Sequence, residues 1–333
     1  MSEGAPVVAF LLPRDRNTGL NNVMQLLARN LDAEVVFCNS ANRRAGIQTL
    51  RAYLRIRQLK LSGVIIHSSG AIPDLLNALS GRKRSSTTVH NYLTPDYVLQ
   101  YGPFKGRLIA ALHLLSLRRI GLVLGCSLAV TQNLRQQYGI ASIPCVNGCA
   151  DAPVRDDQML PPRPRIFSFA GPYIRRKNVA PMVSALRAAD PEAVIQLFGA
   201  GPEQAAIEAA NAGAPGLQLG PVSEPMRHYT AGHFYISFSE YEGMPLSVLE
   251  ATKCGLIPVL SAIPPHQELL ELLGIEELHC FDSIEHGVRW ALTLDTSQRT
   301  TLATALIRRS QVQFSEESFV SRFSACLLNY SKA

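Results

Sequence analysis

The sequence predicts an α/β protein of two Rossmann-like, doubly wound domains facing a central cleft. Three observations lead there. Short apolar runs rich in β-branched residues alternate with helical periodicity along the whole chain, the pattern of parallel sheets flanked by helices. At 333 residues the chain is longer than one ordinary core, which divides it into two domains. The segment 151–165 (DAPVRDDQMLPPRPR) has four prolines and no periodicity, so it reads as a linker, and the alternation restarts after it.

Before the linker, 7–12, 34–38, 63–67, 87–90 and 120–127 read as strands, with the clearest helical periodicity at 21–31 and 47–60. After it, 166–170, 193–199, 217–220, 234–237 and 257–260 read as strands, and helical segments close the chain from 283 to 330. The expected organisation is an N-terminal domain over 1–150, the linker 151–165, a second domain over 166–310 and a C-terminal helix over 311–333 that packs back toward the first domain. In such sheets ligands bind outside the carboxyl ends of the strands. Residues just past strand ends are therefore the candidates for chemistry.

Composition removes several classes. Apolar residues reach 47% and charged residues only 17%, against about 25% in an average soluble chain. Disorder is excluded, and no repeat suggests a solenoid or coiled coil. The longest apolar stretch, 120–130, is 11 residues, short of the roughly 20 that span a bilayer. Met-Ser-Glu-Gly at the start lacks a basic region followed by an apolar core, so no signal peptide is expected. Seven scattered cysteines without metal-ligand spacing suit a cytoplasmic protein with reduced thiols. The net charge of +6 hides an asymmetry: residues 1–150 hold 17 Lys+Arg and 6 Asp+Glu, a balance of +11, and the remainder holds 15 and 20, a balance of −5. The first half thus presents a positive field, suited to a membrane surface, an anionic glycolipid or a nucleic acid.

Three segments could serve chemistry. The first is Ser239-Glu-Tyr-Glu-Gly-Met-Pro-Leu-Ser-Val-Leu-Glu-Ala251, directly after a strand. Pro245 fits the first helical position, placing Glu242 in the loop before a helix and Glu250 inside it. A helix N-terminus favours phosphate or hydroxyl groups, and two carboxylates can hold a ribose diol and a sugar hydroxyl. A capping acid plus a solvated helical glutamate would be spelled the same way. The second segment is Gly171-Pro-Tyr-Ile-Arg-Arg-Lys-Asn178, where Arg175, Arg176 and Lys177 can neutralise a diphosphate. A solvated basic turn is its alternative. The third is Gly199-Ala-Gly-Pro202, where Gly199 and Gly201 let backbone approach a nucleotide or simply make a turn.

In this order and spacing the three segments resemble glycosyltransferase family 4, retaining GT-B enzymes that use nucleotide-sugar donors. Glu242 and Glu250 reproduce that family's acid-x7-acid motif within EGMPLSVLEA. Cys254-Gly255-Leu-Ile-Pro-Val259 resembles its CG-x-PV strand, and Pro265-His-Gln-Glu268 the loop after it. In the first half, Thr18-Gly19-Leu20 resembles the glycine-rich first loop, Gly63-Val-Ile-Ile-His67 and Thr88-Val-His90 the strand-terminal histidines, and Asn147-Gly148 the turn before the linker. The resemblance implies an acceptor side over 1–150 and a donor side over 166–310. By the same resemblance Lys177, with Arg175 or Arg176, holds the donor diphosphate, and Glu250 holds the ribose hydroxyls. Glu242, with the backbone of Gly243, Met244 and Leu246, holds the sugar, and His90 touches it from the opposite domain. Glu242, Lys177 and His90 are then the catalytic group, with Gly199, Gly201 and Gly19 lining the donor.

Retention follows because no candidate nucleophile lies near the anomeric carbon, so the acceptor hydroxyl attacks the face the diphosphate leaves. The donor-side segments lack an Asp-x-Asp pair, so neither metal nor cofactor is expected: the cations and the helix terminus would stabilise the leaving group. The expected activity is that of a hexosyltransferase acting on a glycan or glycolipid, in cell-surface polysaccharide or lipopolysaccharide assembly. The rivals are a nucleotide-sugar epimerase on the same architecture, disfavoured by the acid-x7-acid motif, and a non-catalytic nucleotide-sugar-binding protein. A dehydrogenase is least supported, because no strand is followed by G-x-G-x-x-G.

The acceptor-side signal is 104–119, FKGRLIAALHLLSLRR, an apolar helical segment with Lys105, Arg107, Arg118 and Arg119 at its ends. With Arg82, Lys83 and Arg84 nearby, it suits an interfacial helix on an anionic bilayer. A buried helix with basic ends at the rim is the other reading. Peripheral attachment to the inner face of the cell membrane is therefore expected. No nucleic-acid partner is expected, because only Tyr53 and Tyr92 lie near the basic residues.

Overall fold

The computed structural model describes residues 7–13, 19–38, 45–151, 165–221 and 225–332. Thr18 and all of the linker except Asp151 and Arg165 lie outside the described residues. The chain forms two compact units, Met1–Gly148 with Glu316–Ala333 and Cys149–Ser315.

The first unit contains strands β1 (Val8–Leu12), β2 (Glu34–Phe37), β3 (Ile65–Ser68), β4 (Ser85–Val89), β5 (Leu122–Gly125) and β6 (Ile143–Pro144). Among the described residues they form one sheet in the order β2-β1-β3-β4-β5-β6, every pairing parallel. Its helices are α1 (Gly19–Asn30), α2 (Ala45–Leu61), α3 (Ala71–Leu79), α4 (Leu93–Tyr101), α5 (Pro103–Leu117) and α6 (Leu128–Tyr138). β1 reads VAFLL and is buried throughout, as a central strand covered on both faces must be.

β4 reads SSTTV and is equally buried, yet polar. The burial is sustained by hydrogen bonds. The Thr87 hydroxyl donates to Asp74 at 2.7 Å, as does Ser68 at 2.6 Å, and the His67 ring contacts Ser86 and Thr88 hydroxyls at 3.0 Å each. His113 of α5 reaches the other Asp74 oxygen at 2.6 Å and Tyr97 of α4 at 2.8 Å, which links both helices to α3, where Asp74 also holds Ser68 and Thr87 of the sheet.

The second unit contains β7 (Ile166–Ala170), β8 (Val194–Phe198), β9 (Leu217–Gly220), β10 (Phe234–Ser237) and β11 (Ile257–Leu260), in the order β11-β10-β7-β8-β9 and all parallel. Its helices are α7 (Val179–Ala189), α8 (Gln204–Asn211), α9 (Leu246–Lys253), α10 (Pro264–Leu273), α11 (Ile284–Thr293) and α12 (Thr296–Phe314). From β7 the chain winds outward through β8 and β9, then returns to the other side of β7 as β10. The switch point of this sheet is therefore the β7–β10 seam, where ligands of open α/β sheets settle.

The last helix, α13 (Glu316–Lys332), belongs to the first unit. Phe319, Phe323 and Leu327 are its buried residues. Phe323 stacks on Phe10 with centroids 5.8 Å apart and meets the His67 ring edge-on at 4.8 Å. The helix begins at Glu316 rather than 311, because residues 311–314 complete α12.

Candidate active site

Loops after β7 and β10 meet at the switch point of the second unit. Residues Arg175–Lys177 make a 3-10 turn that ends at Asn178, whose φ of 53° is left-handed. The Asn178 side-chain amide donates to the Phe238 carbonyl at 2.9 Å, and the Glu240 amide donates to the Arg176 carbonyl at 2.9 Å. These bonds tie the two loops together. Ser261 reinforces the second loop by donating to the Ser239 carbonyl at 2.9 Å.

The charged side chains on these loops converge. Lys177 Nζ donates to Glu242 Oε1. Arg176 Nη1 lies 3.4 Å from Glu242 Oε2, donates to the Tyr241 carbonyl at 2.9 Å and stacks over the Tyr241 ring at 5.1 Å. Glu242 and Lys177 are only 6% and 7% exposed, so neither charge is solvated by bulk water. Burial alone would push the Glu242 carboxyl up, but Lys177 and Arg176 more than offset it and bring it down to about 2. Arg175, by contrast, is exposed and outside this cluster. Of the two arginines left open by sequence, Arg176 is the one turned inward.

Glu250 stands in α9, half-buried. Burial pushes its carboxyl up to about 7, against a partial offset from Lys253. Two carboxylates eight residues apart thus differ sharply: Glu242 is firmly ionised and Glu250 titrates near neutrality. Pro245 is not the first helical residue, as expected above, but the N-cap, with ψ near 99°, and the helix starts at Leu246. The reason is the extended backbone that Pro245 adopts, which carries the chain out of the loop before it coils. No side chain caps this end, so it keeps the partial positive charge of a helix N-terminus. Gly243 and Met244 are buried in the approach and Leu246 is half-buried.

Gly199 and Gly201 lie beside this seam for a packing reason. A Cβ on Gly199 would collide with the Gly171 carbonyl oxygen, and one on Gly201 with the Tyr173 carbonyl oxygen. The two loops are further tied by Tyr173 N–H to the Ala200 carbonyl at 3.0 Å and Glu203 N–H to the Tyr173 carbonyl at 3.1 Å. The glycines are required by loop-to-loop contact before any ligand is considered.

Two further residues stand at the seam, Tyr235, which sequence reasoning missed, and His266, quoted there only as part of a loop-like stretch. Tyr235 of β10 is fully buried, and its hydroxyl accepts from Ala170 N–H and donates to the Ala170 carbonyl, both at 3.1 Å. Burial raises its pKa, and the charges of Glu250 and Glu242 add to this. His266 of α10 directs Nδ1 at the Ser261 carbonyl, 3.0 Å away, so Nδ1 carries the proton and the buried Nε2 is left an acceptor without a partner. Burial lowers its pKa to about 4, with Glu242 and Lys177 acting on it electrostatically in opposite senses. No spacing signal marks Tyr235, because its contact with Ala170 spans 65 residues, and His266 lies in the Pro265–Glu268 stretch quoted above without a role assigned to it.

The other candidates lie in the first unit. His90 follows β4, half-buried, with Nε2 unpartnered, and burial pulls it down to about 4. Gly19 is exposed as the first residue of α1. His67 is a core residue, fully buried against Phe10 and Phe323. Arg82, Lys83, Arg84, Lys105, Arg107, Arg118 and Arg119 are all exposed. The α5 segment has one buried face and one exposed face. Ala110, His113, Leu114 and Leu117 are buried, while Phe104, Leu108, Leu112 and Leu115 are exposed at helical spacing on the other face.

Two Rossmann-like parallel-sheet units in one chain define the GT-B architecture, and comparison with solved structures agrees. Sucrose-phosphate synthase from Thermosynechococcus elongatus matches with a TM-score of 0.75 at 15% identity, covering 98% of this chain and 100% of that one. HepE of Anabaena, in complex with UDP and glucose, matches with 0.72 at 13% identity, over 97% and 100% of the two chains. The catalytic domain of starch synthase IV from Arabidopsis thaliana, bound to ADP and acarbose, matches with 0.70 at 14% identity, over 99% and 100%. Residues 153–289 match the family described as glycosyl transferases group 1. This family match, in the unit that holds Glu242 and Glu250, supports glycosyl transfer as the function and bears out the resemblance to GT-B glycosyltransferases read from the sequence. No curated protein matches the chain significantly by sequence.

Proposed function

We propose that this protein is a retaining, metal-independent hexosyltransferase that moves one sugar from a nucleotide-sugar donor to a glycan or glycolipid acceptor. The observation behind this reading is the convergence of Arg176, Lys177 and Glu242 at the β7–β10 seam, with Glu250 on the adjoining helix. Neighbours of the same fold bind UDP with glucose, or ADP with acarbose, which supports a nucleoside diphosphate as the leaving group.

Glu242 faces the positive charges of buried Lys177 and half-buried Arg176. A donor diphosphate supplies the same negative charge. Lys177 and Arg176 then turn to the phosphate, and the Glu242 carboxylate is released to accept hydrogen bonds from sugar hydroxyls. Glu250 accepts from the ribose diol. As the bond from the anomeric carbon to the diphosphate oxygen breaks, negative charge grows on the diphosphate, where the two cations stabilise it more than in the ground state. The acceptor oxygen bonds to the anomeric carbon on the face being vacated, and its proton passes to the departing phosphate.

If these cations hold the diphosphate, turnover is expected to continue in excess EDTA at a rate within about twofold of that with added Mg²⁺ or Mn²⁺. An absolute metal requirement, measured in the same assay, would overturn the metal-independent reading.

The acceptor side is proposed to lie against the inner face of the cell membrane, where cell-surface polysaccharide or lipopolysaccharide is assembled. No described helix is long and apolar enough to cross a membrane. The support is the exposed stripe Phe104, Leu108, Leu112 and Leu115, the first 87% exposed, flanked by four cations on the same helix or just past its end. Each Lys or Arg near an anionic surface contributes about 1 kcal/mol. Cosedimentation with anionic vesicles is therefore expected to fall steeply with salt. Changing Leu112 and Leu115 together to Ser should weaken it about tenfold at nearly unchanged stability, because both side chains are already exposed. Leu114→Ala, in the core face, should instead cost about 2–5 kcal/mol of folding. Vesicle binding that ignores salt and the Leu pair would remove the membrane from this account.

A further inference from the structure

Seven cysteines are free, and two of them touch. Cys145 directly follows β6; its backbone N–H donates to the Gly125 carbonyl at 2.8 Å, and its side chain is buried. Cys326 lies on α13 and is half-buried. The two thiols hydrogen-bond to one another. Arg322, one turn earlier on α13, donates Nε and Nη2 to the Val146 carbonyl at 3.3 and 3.1 Å. That bond clamps the helix against the residue next to Cys145, so both backbones are held in place independently of the sulfurs.

We propose that Cys145 and Cys326 form an oxidation site that a hydroperoxide closes to a disulfide, joining α13 covalently to the end of β6. Cys326 is the thiol that peroxide reaches first, since it is partly exposed while Cys145 is not. The thiolate is the reacting form. The hydrogen bond from Cys145 lowers the Cys326 pKa, whereas burial raises Cys38 and Cys280 to about 12. The Cys326 sulfur takes an oxygen from the peroxide, leaving a sulfenic acid and one water. The Cys145 sulfur then attacks the Cys326 sulfur, the S–O bond breaks, and a second water departs with the Cys145 proton. Two thiols are oxidised by two electrons and one peroxide is reduced to two waters.

The closed bond would have a consequence set by chain topology. Residues Cys149–Ser315, the whole second unit, lie between the two cysteines in sequence. Oxidation therefore closes a loop around that unit and holds α13, which follows it in the chain, on the first unit. A thiol reductant reopens the loop.

The test treats the full chain with hydrogen peroxide, then counts thiols after denaturation and maps peptides without reduction. The expected result is a fall from seven thiols to five, a loss of two hydrogens in intact mass, a linked Cys145–Cys326 peptide and full reversal by dithiothreitol. Cys145→Ala should form no disulfide and leave a Cys326 sulfenic acid that dimedone traps. Cys326→Ser should keep all its remaining thiols at the same dose. The wild-type peptide map stands even if a variant folds poorly. Loss of thiols spread over the other cysteines, a Cys126–Cys145 link in place of the expected one, or no loss at doses that oxidise glutathione would each overturn the proposal.

Discussion

Replacing Glu250 by Gln is expected to lower kcat/KM for transfer by about 10²-fold while making the protein more stable above neutral pH. The two effects share a cause. The Glu250 carboxyl sits at about 7 in the folded chain against 4.5 unperturbed, because burial disfavours its ionised form. Between those values the folded state binds more protons than the unfolded state, so stability falls as pH rises through the window and then levels off. The shift corresponds to about 3 kcal/mol at most. Gln cannot ionise, so denaturant unfolding should show the variant and the wild type alike near pH 4.5 and the variant ahead by up to about 3 kcal/mol at pH 8. The transfer loss follows from replacing a charged acceptor of ribose hydroxyls by a neutral one, worth about 1.5–3 kcal/mol. In the wild type kcat/KM should rise with pH through about 7, and in Glu250→Gln that limb should vanish. A variant less stable than the wild type at pH 8 would contradict the burial argument, and one with normal turnover would contradict the functional one.

Glu242→Ala is expected to cost about 3–5 kcal/mol of folding free energy, because it removes the carboxylate that faces buried Lys177 and half-buried Arg176. Lys177→Ala should cost less, since Arg176 remains 3.4 Å from Glu242, and it should still lower transfer by about 10²-fold through loss of leaving-group stabilisation. The pH dependence has the opposite sign to that of Glu250. With its carboxyl at about 2, ionised Glu242 contributes stability that is present above pH 4.5 and lost as pH falls toward 2. Urea titrations of both variants at pH 7 and pH 3 measure this. Equal stability of Glu242→Ala and wild type at pH 7 would show that the pair is not the buried lock described here.

How much of this was legible in the sequence varied with the physical signal. β7, β10 and β11 have the bounds read from their apolar runs, since a strand covered on both faces must be apolar at nearly every position, and the edge strand β9 has its expected bounds as well although it is partly exposed. β4 was read from residue 87 although it starts at Ser85, because Ser85 and Ser86 are polar residues whose burial depends on partners elsewhere. β6, two residues long, has no periodicity to detect. The loop residues Arg176, Lys177 and Glu242 were visible as strand-end charges, but their pairing spans 65 residues or more in sequence and no local pattern encodes it. A lysine read as a loop cation is in fact buried, so its removal touches folding as well as chemistry. Gly199 and Gly201 stood out as candidates for nucleotide contact, while the requirement actually observed is contact with the Gly171 and Tyr173 carbonyls.

The central claim is that the seam between β7 and β10 binds a nucleoside diphosphate through Arg176, Lys177 and Glu250. Its most direct measurement is the thermal unfolding midpoint of the wild type, Lys177→Ala and Glu250→Gln chains against UDP, GDP and ADP in EDTA. A ligand at 100 times its dissociation constant stabilises the fold by about 2.7 kcal/mol, a shift of about 4 °C for a chain of this size. The account predicts that one of the three nucleotides raises the wild-type midpoint by such an amount and that both variants lose most of the shift. No shift with any nucleotide, or an equal shift in all three proteins, would contradict it.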